Sequence, residues 1–388
     1  MSWLLVPISE FCETGSGGTP SRKQADYYEG DIPWIKSGDL REKTVTKATE
    51  FITELAIKKS SAKVVPKGAI LLAMYGATVG RMAMLGVDAA TNQAVCSIVP
   101  DEKKAFPKYV YYALLNKVPD FLRSAVGGAQ PNISQGMIKD TKIPLPYPDD
   151  PEKSLKEQKR IAAILDKADG IRRKRQQAIQ LADDFLRSVF LDMFGDPVMN
   201  PKGWEVKPVG EICSCIVPGR DKPKSFTGET PWVTTNDLEH LDVTSESKKF
   251  IGLSGFEISE VKAKIVPRNS VLMTCVGDLG TVSIAGNDMV INQQLHAFLP
   301  NKYIDSSFLS FALSFQKGFM MRMASSTTLP YMNKTICNSV PLINPPFEVQ
   351  KIFGDIVKKN RVIKSKFNSS IQEPLFEILS QKAFKGEL

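Results

Sequence analysis

Gly30-Asp31-Ile32-Pro33-Trp34-Ile35-Lys36-Ser37-Gly38-Asp39-Leu40 returns as Gly228-Glu229-Thr230-Pro231-Trp232-Val233-Thr234-Thr235-Asn236-Asp237-Leu238. A repeat of this kind bears on architecture before any local propensity does, because it means that one folding unit has been built twice. Working outward from it, Trp3, Pro7, Glu10 and Cys12 recur as Trp204, Pro208, Glu211 and Cys213. Val65-Pro66-Lys67-Gly68 comes back as Val266-Pro267-Arg268-Asn269, and Asn92-Gln93 as Asn292-Gln293. The four tryptophans of the chain therefore form two equivalent pairs.

The first part of each repeat mixes short β-rich runs (69–74 and 270–274) with Gly and Pro breaks and helical pieces (109–116 and 308–315). It reads as a compact α/β domain. A long helix follows. In the first repeat Ser154-Leu155-Lys156-Glu157 has the form of a capping box, in which the serine accepts from an orphan amide and the glutamate reaches back. Ile161, Ile164, Ala168, Ile171, Arg175, Ala178, Ala182, Phe185 and Val189 then alternate by three and four, and Gly195-Asp196-Pro197 stops the run. The second repeat carries Phe353, Ile356, Asn360, Ile363 and Phe367 at the same spacing. Pro374, which should kink or restart that helix, and an amphipathic run through Leu379 and Phe384 follow.

An apolar stripe needs a partner. Two such helices satisfy each other most simply as an antiparallel coiled coil; the alternative is that each packs on its own domain. A helix of about 40 residues would be about 60 Å long. The expectation is an α+β protein with a pseudo-two-fold internal repeat: domain 1–150, central helix 151–196, domain 197–345 and C-terminal helix 346–388.

The 388 residues suffice for two or three cores. With 43% apolar and 24% charged residues, disorder is not the default. Net charge +8 suits a polyanionic partner, though weakly as evidence. No apolar run is long enough to span a bilayer and Met1-Ser2-Trp3 begins no signal peptide, so a cytoplasmic chain without membrane attachment is expected. Cys12, Cys96, Cys213, Cys215, Cys275 and Cys337 show no zinc spacing, and His240 and His296 are the only histidines. Free thiols and no metal are the expectation.

Glu157-Gln158-Lys159-Arg160-Ile161, opening the central helix, and Ala383-Phe384-Lys385-Gly386-Glu387-Leu388 resemble the conserved regions of type I restriction–modification specificity subunits. Gly17-Gly18-Thr19-Pro20-Ser21, Gly30-Asp31-Ile32-Pro33-Trp34 and Asn92-Gln93 resemble segments of that family's target recognition domains. The second repeat departs from the pattern, with Pro218-Gly219-Arg220 near the place of the Gly-Gly run and Glu348-Val349-Gln350-Lys351 at the helix. The resemblance implies two target recognition domains, each reading one half of a bipartite site on double-stranded DNA. It also implies docking of two modification (methyltransferase) subunits, joined by restriction subunits. S-adenosylmethionine, ATP and magnesium would then belong to those partners, and this chain would carry no cofactor and no catalytic residue. Because the two heads differ in sequence, the target should be asymmetric, with half-sites about one helical turn apart.

Three motifs imitate other chemistry. Asn344-Pro345-Pro346-Phe347 matches the catalytic tetrapeptide of adenine-N6 methyltransferases. Gly15-Ser16-Gly17-Gly18 follows no convincing cofactor-binding βαβ pattern, and prolines suit a helix start. Pro148-Asp149 with Glu157-Gln158-Lys159 imitates a nuclease signature, but its second half lies inside a helix. Arg172-Arg173-Lys174-Arg175 reads as a solvated helix face or a phosphate contact. A methyltransferase with a fused recognition domain and a non-catalytic two-headed adaptor are the rival readings.

If the heads read different half-sites, shared residues are scaffold and differing residues in equivalent loops are readers. Trp34, Trp232, Pro33, Pro231, Asp39, Asp237 and both Asn-Gln pairs count as scaffold. The reader candidates are Ser16, Gly17, Gly18, Thr19, Ser21 and Arg22; Lys36, Ser37 and Gly38 against Thr234, Thr235 and Asn236; and Tyr75, Gly76, Thr78 and Arg81 against Gly277 and Asp278. Arg123, Gln130 and Asn132, then Arg220, Lys222 and Lys224, and finally Arg322, Ser325, Ser326 and Tyr331 complete the set. Short polar side chains and basic groups supply what base edges and phosphates need.

Overall fold

The computed structural model describes residues 3–124, 132–219, 221–325, 328–368 and 375–388. They form two units: unit 1 holds the described residues up to Lys174 together with 375–388, and unit 2 those of 175–370.

Each unit repeats the other's topology. In unit 1 the strands Cys12–Ser16, Val95–Pro100, Ile70–Ala73, Met82–Leu85 and Thr44–Val45 lie side by side in that order. In unit 2 the order is Ser214–Ile216, Leu295–Leu299, Val271–Thr274, Val282–Ala285 and Val243–Thr244. The last pair is parallel in both, with Thr44 opposite Met84 and Val243 opposite Ile284. A smaller sheet joins Glu50–Ile52, Tyr28–Ile35, Ala89–Thr91 and Val64–Val65. Its counterpart has Gly252–Leu253, Thr230–Val233 and Val290–Ile291, with a single Val266–Met289 bridge in place of a fourth strand.

The larger sheets are covered on both faces, which is why their strands read as unbroken apolar runs. Successive side chains point to opposite faces. In unit 1 Ile70, Leu72, Met82, Met84, Cys96 and Ile98 join the core beneath the helices, and Leu71, Ala73, Ala83, Leu85 and Val95 join a second core.

Five helices matter for the site: α1 (Pro107–Leu115), α2 (Pro151–Phe194), α3 (Ser306–Ser314), α4 (Phe347–Asn368) and α5 (Leu375–Lys385). α2 does not start at the expected capping box. Pro151 occupies its first turn, Asp150 Oδ1 accepts from the Lys153 amide at 3.1 Å, and Ser154 lies inside the helix. The stop is as expected: Gly195 adopts φ +75° just past Phe194. The Gln of each motif is fully buried and locks the N-terminal part of its helix to the domain. Gln158 accepts from the Phe106 amide (2.8 Å) and donates to the Lys104 carbonyl (3.1 Å). Gln350 does the same with the Asp305 amide and the Tyr303 and Pro345 carbonyls.

No single seam runs the length of α2. Its first part buries Ile161, Ala162, Leu165 and Ala168 in the core of unit 1 with Phe376 and Phe384 of α5. Its last part buries Leu186, Phe190 and Phe194 in unit 2 with Phe308 and Phe311 of α3 and Phe353 and Val357 of α4. Between these ends Ile171 (44% exposed) and Phe185 (52%) face outward, as does Ile363 (51%) on α4. Ile164, Ala178, Ala182, Val189, Ile356 and Phe367 are half-buried. A position spaced for a seam is buried only where something faces it, and the partner here is a globular core, wider than one helix.

Antiparallel pairing is nevertheless present within each unit. In unit 2 the Phe353 ring packs on Phe190 and Phe194, whereas Asn360 Nδ2 donates to the Ala182 carbonyl at 3.2 Å. In unit 1 the Arg172 guanidinium sits 5.3 Å over Phe376, and Arg160 donates to the Leu388 carbonyl at 3.0 Å. The helix partnering the first part of α2 is thus α5. Pro374 lies outside the described residues.

Polar latches fix each domain on its helix. Lys43, just before the last strand of the large sheet, contacts Asp166 (2.5 Å) and Asp169 (3.7 Å) on α2. Its positional counterpart in unit 2 is Asp242, which contacts Arg361 (3.2 Å) and Lys364 (3.0 Å) on α4. With Gln158 aligned on Gln350, Asp169 falls on Arg361 and Arg172 on Lys364. The Lys43–Asp169 contact of unit 1 thus stands in unit 2 as Asp242–Arg361, with its charges reversed.

Candidate nucleic-acid interface

Backbone hydrogen bonds lace several loops of unit 1 into one rim at the ends of its strands. The amides of Gly17 and Gly18 donate to the Val95 and Thr91 carbonyls (3.1 and 2.9 Å), and that of Asn92 to Ile35 (3.0 Å). The Met74 amide donates to Ala94 and the Ile133 amide to Met74, both at 2.8 Å. Unit 2 repeats the lacing: Asn292 to Val233, Cys275 to Gln294, Met332 to Cys275 and Gly277 to Pro330, each at 2.9 Å. The rims therefore gather loops 16–22, 36–39, 74–81, 91–94 and Asn132 in one unit, and the described residues 219, 221–224, 234–237, 276–281, 292–294, 325 and 328–332 in the other.

The shared residues hold the rims. Asp39 Oδ2 accepts from the Lys36 amide at 2.9 Å and Asp237 Oδ2 from the Thr234 amide at 2.7 Å, closing the turns that present Ser37 and Gly38, and Thr235 and Asn236. Trp34 and Trp232 are buried, and Trp34 Nε1 donates to the Gly18 carbonyl at 3.1 Å. Gln293 donates to the carbonyls of Gly219 (3.2 Å) and Asp221 (3.3 Å), fastening the neighbouring loop.

Several reader candidates make contacts within the fold. A Cβ at Gly17 would lie 2.2 Å from the Thr91 carbonyl oxygen, and one at Gly18 2.3 Å from the Ala62 amide, so both glycines are there for close backbone approach. Gly76 (φ +80°) and Gly277 (φ +79°) form left-handed turns; a Cβ at Gly76 would meet open space, and one at Gly277 would touch Leu329 at 3.7 Å. Asp278 is held by Lys317 (2.6 Å) and Arg123 pairs with Asp120. Tyr75 is half-buried and bridges to Asn132. Thr78 is half-buried, and its carbonyl accepts from the Arg81 amide.

Others are presented outward. Ser16, Thr19, Ser21, Arg81, Asn132, Lys222, Lys224, Asn236, Arg322, Ser325 and Tyr331 are exposed. Arg22 and Lys36 converge on Glu50 at 2.6 and 2.5 Å, and Arg22 also lies 4.5 Å over the Tyr28 ring. The Lys36 hydrogen bond, aided by Arg22, holds the Glu50 carboxyl below the usual range. Composition could not reveal Glu50 as the restraint on two rim cations, because the three are distant in sequence. Gln130, Arg220 and Ser326 lie outside the described residues.

The imitation motifs serve the fold. Asn344-Pro345-Pro346 leads into α4, with the Asn344 amide bound to the Glu205 carbonyl at 2.8 Å. Glu157 forms a bidentate pair with Arg160 one turn away (2.9 and 2.7 Å). All six cysteines are free, and burial pushes Cys12, Cys96, Cys213 and Cys275 up to about 12, leaving inert thiols. Burial likewise lowers His296 to about 4. Among the described residues no group of three or more His, Cys, Asp or Glu could hold a metal ion, and no helix is long and apolar enough to cross a membrane.

The family model described as the type I restriction modification DNA specificity domain matches twice, over residues 2–181 and 201–373. The chain is 26% identical over 418 aligned residues to the type I restriction enzyme MjaIX specificity subunit of Methanocaldococcus jannaschii, covering all of this chain and 93% of that one. It is 33% identical over 168 residues to the EcoR124I/EcoR124II specificity subunit of Escherichia coli, covering 42% of this chain and 40% of that one. The crystal structure of a type I restriction-modification system S subunit from M. genitalium has the same fold, with TM-score 0.59, 17% identity and coverage of 99% and 96%. Two matches along one chain, each containing one of the laced rims, agree with the repeat read outward from Trp34 and Trp232. The chain belongs to the type I restriction modification DNA specificity family, and its part in such an enzyme is recognition of DNA sequence rather than catalysis.

Proposed function

We propose that each rim reads one half of an interrupted, asymmetric DNA target, and that the helices carry the subunits that act on it. The observation behind this reading is the rim itself: three backbone bonds recur at equivalent places in the two units (Asn92 to Ile35 as Asn292 to Val233, Met74 to Ala94 as Cys275 to Gln294, Ile133 to Met74 as Met332 to Cys275) while the outward side chains differ. A conserved frame with changed side chains suits two readers of different base sequences, since base edges are distinguished by donor and acceptor pattern. The partners are double-stranded DNA, two modification subunits and restriction subunits, which supply S-adenosylmethionine, ATP and magnesium, in the cytoplasm. The test is to map methylated adenines in cells carrying the system. A motif split into two unlike halves is expected; a continuous palindrome, or methylation unchanged when this chain is deleted, would overturn the reading.

A further inference from the structure

Phe250 has the highest exposure of any large apolar side chain in unit 2, at 82%, and no ring partner among the described residues. Its backbone is left-handed, with φ +54°, a conformation unfavourable for a bulky residue and retained only where the surroundings impose it. Here they do. The Phe250 amide donates to the Ser247 carbonyl (2.8 Å), the Lys249 amide to Ser247 Oγ (3.3 Å), and the Lys248 amide to Asp237 Oδ1 (2.8 Å). Asp237 is the carboxylate that closes the Thr235–Asn236 turn with its other oxygen, so one buried side chain fixes both the turn and the loop bearing Phe250. The Trp232 amide donates to the Ile251 carbonyl at 3.1 Å, which sets the loop against the rim end of that strand. Exposure alone would not distinguish it: Phe256 is 78% exposed, but follows the other end of the strand Gly252–Leu253, away from the rim.

Two lysines precede the ring in sequence, Lys248 paired with Glu239 at 2.9 Å and Lys249 exposed without an ion pair among the described residues. By strand register, Phe51 faces Pro33 as Gly252 faces Pro231, which makes Thr49 the counterpart of Phe250. Thr49 instead donates to Asp39 Oδ2 at 3.4 Å. The aromatic group is therefore peculiar to unit 2.

We propose that Phe250 is a DNA wedge: its ring inserts at, or stacks on, a base step next to the half-site read by unit 2, with Lys249 against the adjoining phosphate. An apolar side chain held out beside basic groups is the means by which proteins unstack a step and bend the duplex. The proposal rests on the rim reading above.

The test uses the full-length chain and a duplex selected by the wild-type protein from a random-sequence pool, with 2-aminopurine placed in turn along each half. Wild type should brighten the probe at one step of the unit 2 half only. Phe250→Ala should abolish that signal and weaken binding roughly tenfold, the scale of a lost aromatic–base contact, while Phe250→Trp keeps both. Arg322→Ala tells the two readings apart. If it weakens binding while Phe250→Ala binds like wild type and the probe stays dark with wild type, the wedge falls and the rim stands. If neither variant changes binding, both fall. A Phe250→Ala loss without any 2-aminopurine signal in wild type also overturns the wedge, pointing to a protein contact instead.

Discussion

At the residue scale, glycines that look alike in sequence do different work. Gly17→Ala would drive a Cβ into the Thr91 and Asn92 carbonyls, which belong to backbone that cannot move aside alone. Gly76→Ala meets no atom within 4 Å and faces only its left-handed φ. Thermal or urea unfolding should show Gly17→Ala losing about 2–3 kcal/mol and Gly76→Ala about 1 kcal/mol. Glu50 makes a second case. It restrains Arg22 and Lys36, so Glu50→Gln should free cationic charge for phosphates. Binding to DNA measured against salt concentration should then tighten at low salt and fall about one unit more steeply per decade. An unchanged slope would mean the two cations face no phosphate.

At the element scale, the reversed latches match each domain to its own helix. Asp242→Lys would set like charges against Arg361 and Lys364, with an expected loss of about 2–3 kcal/mol in unit 2. Adding Arg361→Asp should recover a substantial part, read by a double-mutant cycle from unfolding, with Lys364 left in place because it also pairs with Asp183 at 2.8 Å. The acid side of the latch sets a pH dependence in unit 1. Burial works to raise Asp169, but hydrogen bonds from Arg172 and Arg173 outweigh it and hold the group below its ordinary value. A depressed folded-state value contributes stability above the ordinary aspartate range, and that stability is lost as pH falls through the depressed value. Unfolding followed against pH should therefore show unit 1 weakening in acid, and Asp169→Asn should flatten that dependence.

At the scale of the whole molecule, two rims with separate side chains make recognition modular. Arg81→Ala should relax or weaken only the half-site read by unit 1, and Arg322→Ala only the other, in a selection from random duplexes. Each change should cost about 1–3 kcal/mol if the side chain reaches a base edge. Loss spread evenly over both halves would place these residues in phosphate contacts instead. α2 contributes to both cores, since Ile161 and Leu165 are buried in one and Phe190 and Phe194 in the other. Substitutions at these ends should accordingly unfold one unit each.

The amino-acid sequence by itself already determines the duplicated architecture, the family and the frame of each site. Paired tryptophans, the Pro-Trp strands and the helix-opening glutamines are local identities that recur, and recurrence survives without knowing any contact. The four-residue shift of the cap of α2 was also locally encoded, in Asp150-Pro151, but a second plausible cap at Ser154 competed with it. What only tertiary structure decided is which spaced residues find something to face. Ile171, Phe185 and Ile363 fit the same pattern as Ile161 and Phe353, yet burial depends on a surface brought from elsewhere in the chain. The same holds at the rims: whether Arg22 is free, whether Gly17 is a reader and why Phe250 stands out depend on Glu50, Thr91 and Asp237, neighbours that folding supplies and that spacing along the chain cannot express.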